Sequence, residues 1–159
     1  MKNILKVSTI LSWFNLVVAG LVVIYILLAG LLAGYFLVFL IVMILPGSIV
    51  LHSYAALQLR KSIMHPEIPL GNQTPIGIRF LGFIVMALAL ISLYNSISLL
   101  RNPDELIKQV KQIPEAASLD VRKLLRIGTA FSVIFSTSII ANALINFRLL
   151  KWYMMETGE

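Results

Sequence analysis

The sequence predicts an all-α integral membrane protein: an antiparallel bundle of four transmembrane helices, with a short amphipathic surface helix between the third and the fourth. Two observations carry that expectation. Hydrophobic residues make up 59% of the 159-residue chain and charged residues 13%, against about 45–50% and about 25% in soluble domains. A soluble core of this length cannot hide so much apolar surface, whereas lipid can. The apolar residues also come in long uncharged runs, and the 13 Lys and Arg stand at the ends of those runs, where anchoring of membrane spans places them. The whole chain, 1–159, reads as a single membrane domain.

The first two spans come from one run. No Asp, Glu, Lys or Arg occurs from Val7 to Leu59. One crossing needs about 20 apolar residues, so the run holds two helices joined by a tight turn. Gly30 and Gly34 relax the backbone and place that turn near residues 29–34. Span one is then about 8–29 and span two about 34–58. Lys2 and Lys6 before the first run resemble the start of a signal peptide. The apolar stretch is too long for a cleavable one, so it reads as an uncleaved signal anchor.

Pro66, Pro69, Gly71 and Pro75 then exclude a regular helix between Arg60 and Thr74. Thr74 and Pro75 read as cap and first residue of the third helix, about 76–100, whose core from Phe80 to Leu100 is uncharged. Asn102, Pro103, Asp104 and Glu105 form a helix start, with the acids facing the positive end of the helix dipole. Leu106, Ile107, Val110 and Ile113 would line one side of a surface helix over about 103–113, ending near Pro114. Ser118 and Asp120 start the last helix, with a span at about 122–150 around the uncharged run Ile127 to Phe147. Nothing up to Trp152 breaks that helix, so some turns are expected to project beyond the bilayer.

With four spans, both termini and the 60–74 loop share one side. That side carries seven Lys and Arg against six in the 101–126 loop. The first hairpin is unambiguous and the first helix usually sets the orientation, so the termini are expected in the cytoplasm, across a bacterial-type cytoplasmic membrane. Trp13, Tyr54, Trp152 and Tyr153 would anchor that same interface. Net charge is +6, yet no dense basic stripe with interleaved aromatics exists, which argues against nucleic acid as a partner. The chain has no cysteine, which removes disulfides, thiolate metal sites and thiol nucleophiles.

No Asp, Glu, Lys or Arg lies mid-span, which counts against a proton-coupled carrier. His52 is the one titratable group at membrane depth, about one and a half turns after Pro46 and Gly47. Proline in a helix interior frees a carbonyl and kinks the axis, which can open a cavity in a bundle. His52 is expected to be neutral and hydrogen-bonded to a neighbouring helix; the functional alternatives are a haem ligand, a proton relay or a polar substrate contact.

Ser138, Asn142 and Asn146 share one face of the last helix, and Ser8, Ser12 and Asn15 a similar stripe of the first. Asn15, His52 and Asn142 fall at similar depth, about 9–10 Å from the cytoplasmic ends. Two accounts are open for this polar layer of Asn15, His52, Asn142 and Asn146. One is hydrogen bonding between helices, worth about 0.6 kcal/mol per pair; the other is a small polar cavity. Ser92, Asn95 and Ser96 lie near the opposite interface and suit helix packing.

No zinc-protease motif, phosphate-cradling glycine loop or nucleophile elbow occurs, and no catalytic, cofactor or metal site is expected. The function expected is that of a non-catalytic accessory, scaffold or self-associating subunit, whose partners are the bilayer and another membrane protein or further copies of itself. The alternative is a small transport or ligand-binding bundle with a polar cavity around His52.

Overall fold

The computed structural model describes residues 2–34, 36–112 and 120–158, with residues 33 and 36–42 described as backbone. Five helices account for nearly all of it: α1 Lys2–Ala33, α2 Phe36–Met64, α3 Gln73–Arg101, α4 Asp104–Lys111 and α5 Val121–Thr157. There is no β-strand among the described residues. Three of the helices, α1, α3 and α5, are long and apolar enough to cross a membrane. The chain is thus all-helical and of membrane type.

Every long helix outruns the span read from the sequence. Hydropathy locates the stretch that wants lipid, but helical hydrogen bonding does not stop at the edge of the hydrocarbon. α1 continues past Gly30 to Ala33, and Gly34 follows with φ +71. The Gly34 N–H donates to the Gly30 carbonyl at 3.1 Å, which is the bond of a helix closed by a left-handed glycine. Gly34 therefore caps α1 rather than opening α2, which starts at Phe36. α2 passes through Pro46 without a break and ends at Met64, beyond the expected boundary.

α3 begins at Gln73, so Pro75 sits two positions further into the first turn than expected. A missing N–H does no harm anywhere in that turn. At α4 the N-cap position is Pro103, with no side-chain cap bond, so Asn102 does not cap it. The Asn102 N–H instead donates to the Ser98 carbonyl at 3.0 Å, finishing α3. Ile107 and Val110 of α4 are half-buried. Ile113, Pro114 and Ser118, invoked for the ends of α4 and α5, lie outside the described residues. Asp120 does cap α5, its Oδ1 accepting the Lys123 N–H at 3.1 Å. At 37 residues α5 is about 55 Å long, well beyond the roughly 30 Å hydrocarbon core.

The chain forms two compact units. One comprises Met1–Leu88 with Ser138–Glu159, the other Ala89–Thr137. In the first, an apolar cluster centres on Leu59, Ile78, Leu149 and Leu150 and takes in Ile4 and Leu5 of α1. All four long helices contribute to it. Tyr153 ties the 65–72 loop to this cluster, its hydroxyl accepting the Leu70 N–H at 3.4 Å. The second unit joins α4 to α5 by an exposed ion pair, Arg122 to Asp104 at 2.8 Å.

Beside that apolar cluster, many polar residues are buried and many large apolar ones exposed. Ser8, Ser12, Asn15, Ser53, Asn142 and Asn146 are all within 1% of complete burial, while Ile10, Leu21, Leu31, Leu32, Phe80 and Ile134 are more than 60% exposed. Water would favour the reverse; a hydrocarbon solvent favours this arrangement.

Candidate functional site

The buried polar residues of the first unit assemble along the seam between α1 and α5. The Ser8 hydroxyl donates to Asn146 Oδ1 at 2.8 Å, the Ser12 hydroxyl to Asn142 Oδ1 at 3.0 Å, and the Ser138 hydroxyl to Asn15 Oδ1 at 2.9 Å. As numbers rise along α1 they fall along α5 in steps of about one turn, so the two helices run antiparallel and the pairs are rungs of a ladder. Asn146 Nδ2 donates to Asn142 Oδ1 at 3.1 Å, linking two rungs along α5. The spacing of three and four on each helix is what puts the rungs on one face. Serine at the narrow positions lets the backbones approach closely enough for a direct bond.

Asn15, Asn142 and Asn146 thus belong to one seam, though on successive rungs rather than in a single layer. His52 does not join it. The ring is 2% exposed, and neither Nδ1 nor Nε2 finds a hydrogen-bond partner among the described residues. The expected bond from His52 to a neighbouring helix is therefore not formed among the described residues. At its Cε1 edge the ring packs closely against α3. A Cβ added at Gly82 of α3 would stand 3.2 Å from His52 Cε1 and 2.5 Å from Phe147 Cε1, so a side chain at Gly82 would overlap the Phe147 ring. Phe147 in turn tilts against Phe83, ring centroids 5.2 Å apart at 38°. Gly82 and Phe147 could be found from sequence only by knowing which faces meet; neither carries a polar signal.

Pro46 and Gly47 lie upstream in the same helix. The Ser48 hydroxyl donates to the Leu45 carbonyl at 2.8 Å, a local bond of the kind that supports a helix near a proline. Two further buried donor atoms, Asn142 Nδ2 and Arg60 Nε, have no partner among the described residues.

The second unit has a seam of its own. Ser96 donates to Ser132 Oγ at 2.7 Å and Ser136 to Ser92 Oγ at 3.1 Å, with Ser92 and Ser132 themselves 3.3 Å apart. This is hydrogen-bonded packing between α3 and α5. Its α5 half, Ser132 and Ser136, escaped the sequence reading, although their spacing of four carries the same signature as Asn142 and Asn146. Asn95 is exposed instead.

Neither seam contains an acid, a base or a nucleophile paired with one, so neither has the parts of a proton relay or of covalent catalysis. His65 and Glu67 meet at 3.1 Å, but both are well exposed in the 65–72 loop. No cluster of three or more His, Cys, Asp or Glu suited to a metal ion occurs among the described residues. Comparison with family models, curated proteins and solved structures returns no match, so the reading of function rests on the chemistry of these residues.

Proposed function

We propose that the chain is a non-catalytic, four-span membrane protein that acts by association within the bilayer, as an accessory or scaffold subunit or by pairing with copies of itself. One observation carries the reading: the asparagines of the α1/α5 seam each accept a bond from a serine of the facing helix. A solute-binding layer needs polar groups turned to the solute. Here they are turned to each other, and their work is to fix helix register. The exposed apolar flanks of the helices then face lipid or a second membrane protein.

In this reading α2 supplies the fourth crossing. It has 29 residues, about 43 Å at 1.5 Å per residue, and its sequence is free of Asp, Glu, Lys and Arg from Phe36 to Leu59. The four long helices alternate in direction, and both termini lie on the cytoplasmic side of a bacterial-type membrane. A second reading, a ligand-binding bundle centred on His52, draws its support from the two unpartnered ring nitrogens, because an unsatisfied buried polar group in a native fold calls for a reason.

Native mass spectrometry of the protein gently extracted from its own membrane separates the two. A stoichiometric second polypeptide, or a defined oligomer with no bound small molecule other than membrane lipid, is the expected result. A lone chain carrying a bound small molecule that His52→Leu abolishes would overturn the first reading in favour of the second.

A further inference from the structure

A groove of about 710 Å³ opens in the first unit between α3 and α5, lined by Arg79 and Phe83 on one side and by Phe147, Leu150, Lys151 and Met154 among others on the other. That volume lies within the roughly 300–1,000 Å³ of small-molecule sites. The lining is of two kinds: the basic side chains of Arg79 and Lys151 set against a mostly hydrocarbon wall. No Asp or Glu lines it among the described residues, and neither Arg79 nor Lys151 belongs to an ion pair there. The Arg79 guanidinium is held across the groove by a neutral acceptor, Met154 Sδ, at 3.0 Å. That acceptor carries no charge, so among the described residues the Arg79 charge has no counter-ion.

The place of the cations along the helices identifies the occupant. Arg79 directly precedes the uncharged run Phe80 to Leu100, and Lys151 stands one turn past the uncharged run that ends at Phe147. Both cations thus mark the edge of the hydrocarbon, at headgroup level. Phe83 and Phe147 lie one turn deeper on their helices and pack together, forming an apolar floor below the charges. A soluble anion has no use for that floor. We propose that this groove binds one anionic phospholipid, with the phosphate of its headgroup between Arg79 and Lys151 and an acyl chain against Phe83 and Phe147. Basic pockets between helices at the cytoplasmic surface suit such headgroups, and the guanidinium presents its donors to phosphate in a fixed fork. The site does not depend on whether the chain has a protein partner.

The test reconstitutes the full chain in vesicles of equal phosphatidylglycerol and phosphatidylcholine with matched acyl chains, then counts lipids retained in native mass spectra. The wild-type protein is expected to keep one phosphatidylglycerol in preference to phosphatidylcholine by roughly 30-fold, about fivefold from each cation (about 1 kcal/mol apiece). Arg79→Gln and Lys151→Gln should each lose about fivefold, and the double variant should approach parity. Arg79→Lys with Lys151→Arg should retain the preference, and so should Arg101→Gln, at the far end of α3. Equal retention of the two lipids by the wild-type chain overturns the proposal without any variant having to fold. A preference that survives in the double variant, or that falls equally in Arg101→Gln, overturns it too. Displacement of the bound phosphatidylglycerol by excess inorganic phosphate would reassign the groove to a soluble anion.

Discussion

Gly82 illustrates how much one missing side chain can decide. A methyl group there would come within 2.5 Å of the Phe147 ring, so the ring must move and give up its packing against Phe83 to admit it. Gly82→Ala is expected to destabilise the protein by about 1–3 kcal/mol, the usual cost of overpacking, in a reversible unfolding titration in mixed micelles. Shortening the obstacle should restore most of it, so Gly82→Ala with Phe147→Leu is expected to be less unstable than Gly82→Ala alone. His52 poses the opposite case. Its two nitrogens have no partner among the described residues, and replacing an unpaired buried polar group by an apolar one of similar shape is close to neutral or stabilising. His52→Leu is expected to change stability by less than about 1 kcal/mol. A loss above about 3 kcal/mol would show that the ring makes a bond not seen here, and would argue for a ligand or a partner at that position.

At the scale of the elements, the α1/α5 seam is a ladder of pair interactions, two of which share the Asn142 Oδ1 acceptor. A double-mutant cycle on Ser12→Ala and Asn142→Val should return a coupling energy of about 0.6 kcal/mol, the average for hydrogen bonds between membrane helices. A coupling near zero would remove the seam's role in setting register. Seam and helices were unequally legible in the sequence. The helices followed from apolar runs and breakers, because lipid leaves the backbone few alternatives to a helix. The stripes Ser8–Ser12–Asn15 and Ser138–Asn142–Asn146 were visible as stripes, because helical periodicity is a local property. Their pairing with each other is a tertiary fact, set by the antiparallel meeting of two helices more than a hundred residues apart. His52 was misjudged for the same reason. Depth along a helix can be counted from sequence, but the direction a side chain faces relative to three neighbours cannot. Helix ends were displaced because the sequence marks them by capping residues, and Gly34 serves equally well as the end of one helix or the start of a turn. Gly34→Ala would force φ +71 on a residue with a Cβ, and about 1 kcal/mol of lost stability is expected in the same unfolding assay.

For the whole molecule, the number of crossings decides which loops share a side, and in the four-span reading Lys and Arg divide nearly evenly, seven against six. The positive-inside rule, which usually decides orientation, has little asymmetry to work on here. The evenness has a local source. The 101–126 segment carries Arg101, Lys108, Lys111, Arg122, Lys123 and Arg126, and part of this charge is answered nearby, as Arg122 is by Asp104 at 2.8 Å. Basic residues near the ends of the spans bias orientation most strongly on short segments early in the chain, which leaves Lys2 and Lys6 in control. Four crossings then put the 65–72 loop with the termini and α4 on the opposite face. The absence of native cysteine makes the test direct, since any introduced thiol is the only one in the protein. Glu67→Cys and Gln109→Cys, both at exposed positions, should react with a membrane-impermeant maleimide from opposite sides: Gln109→Cys in intact cells, Glu67→Cys only after the membrane is opened. Labelling of both in intact cells, or of neither, would mean that α3 does not cross. The reverse pattern would keep four spans and invert the protein, placing Arg79 and Lys151 against the outer leaflet.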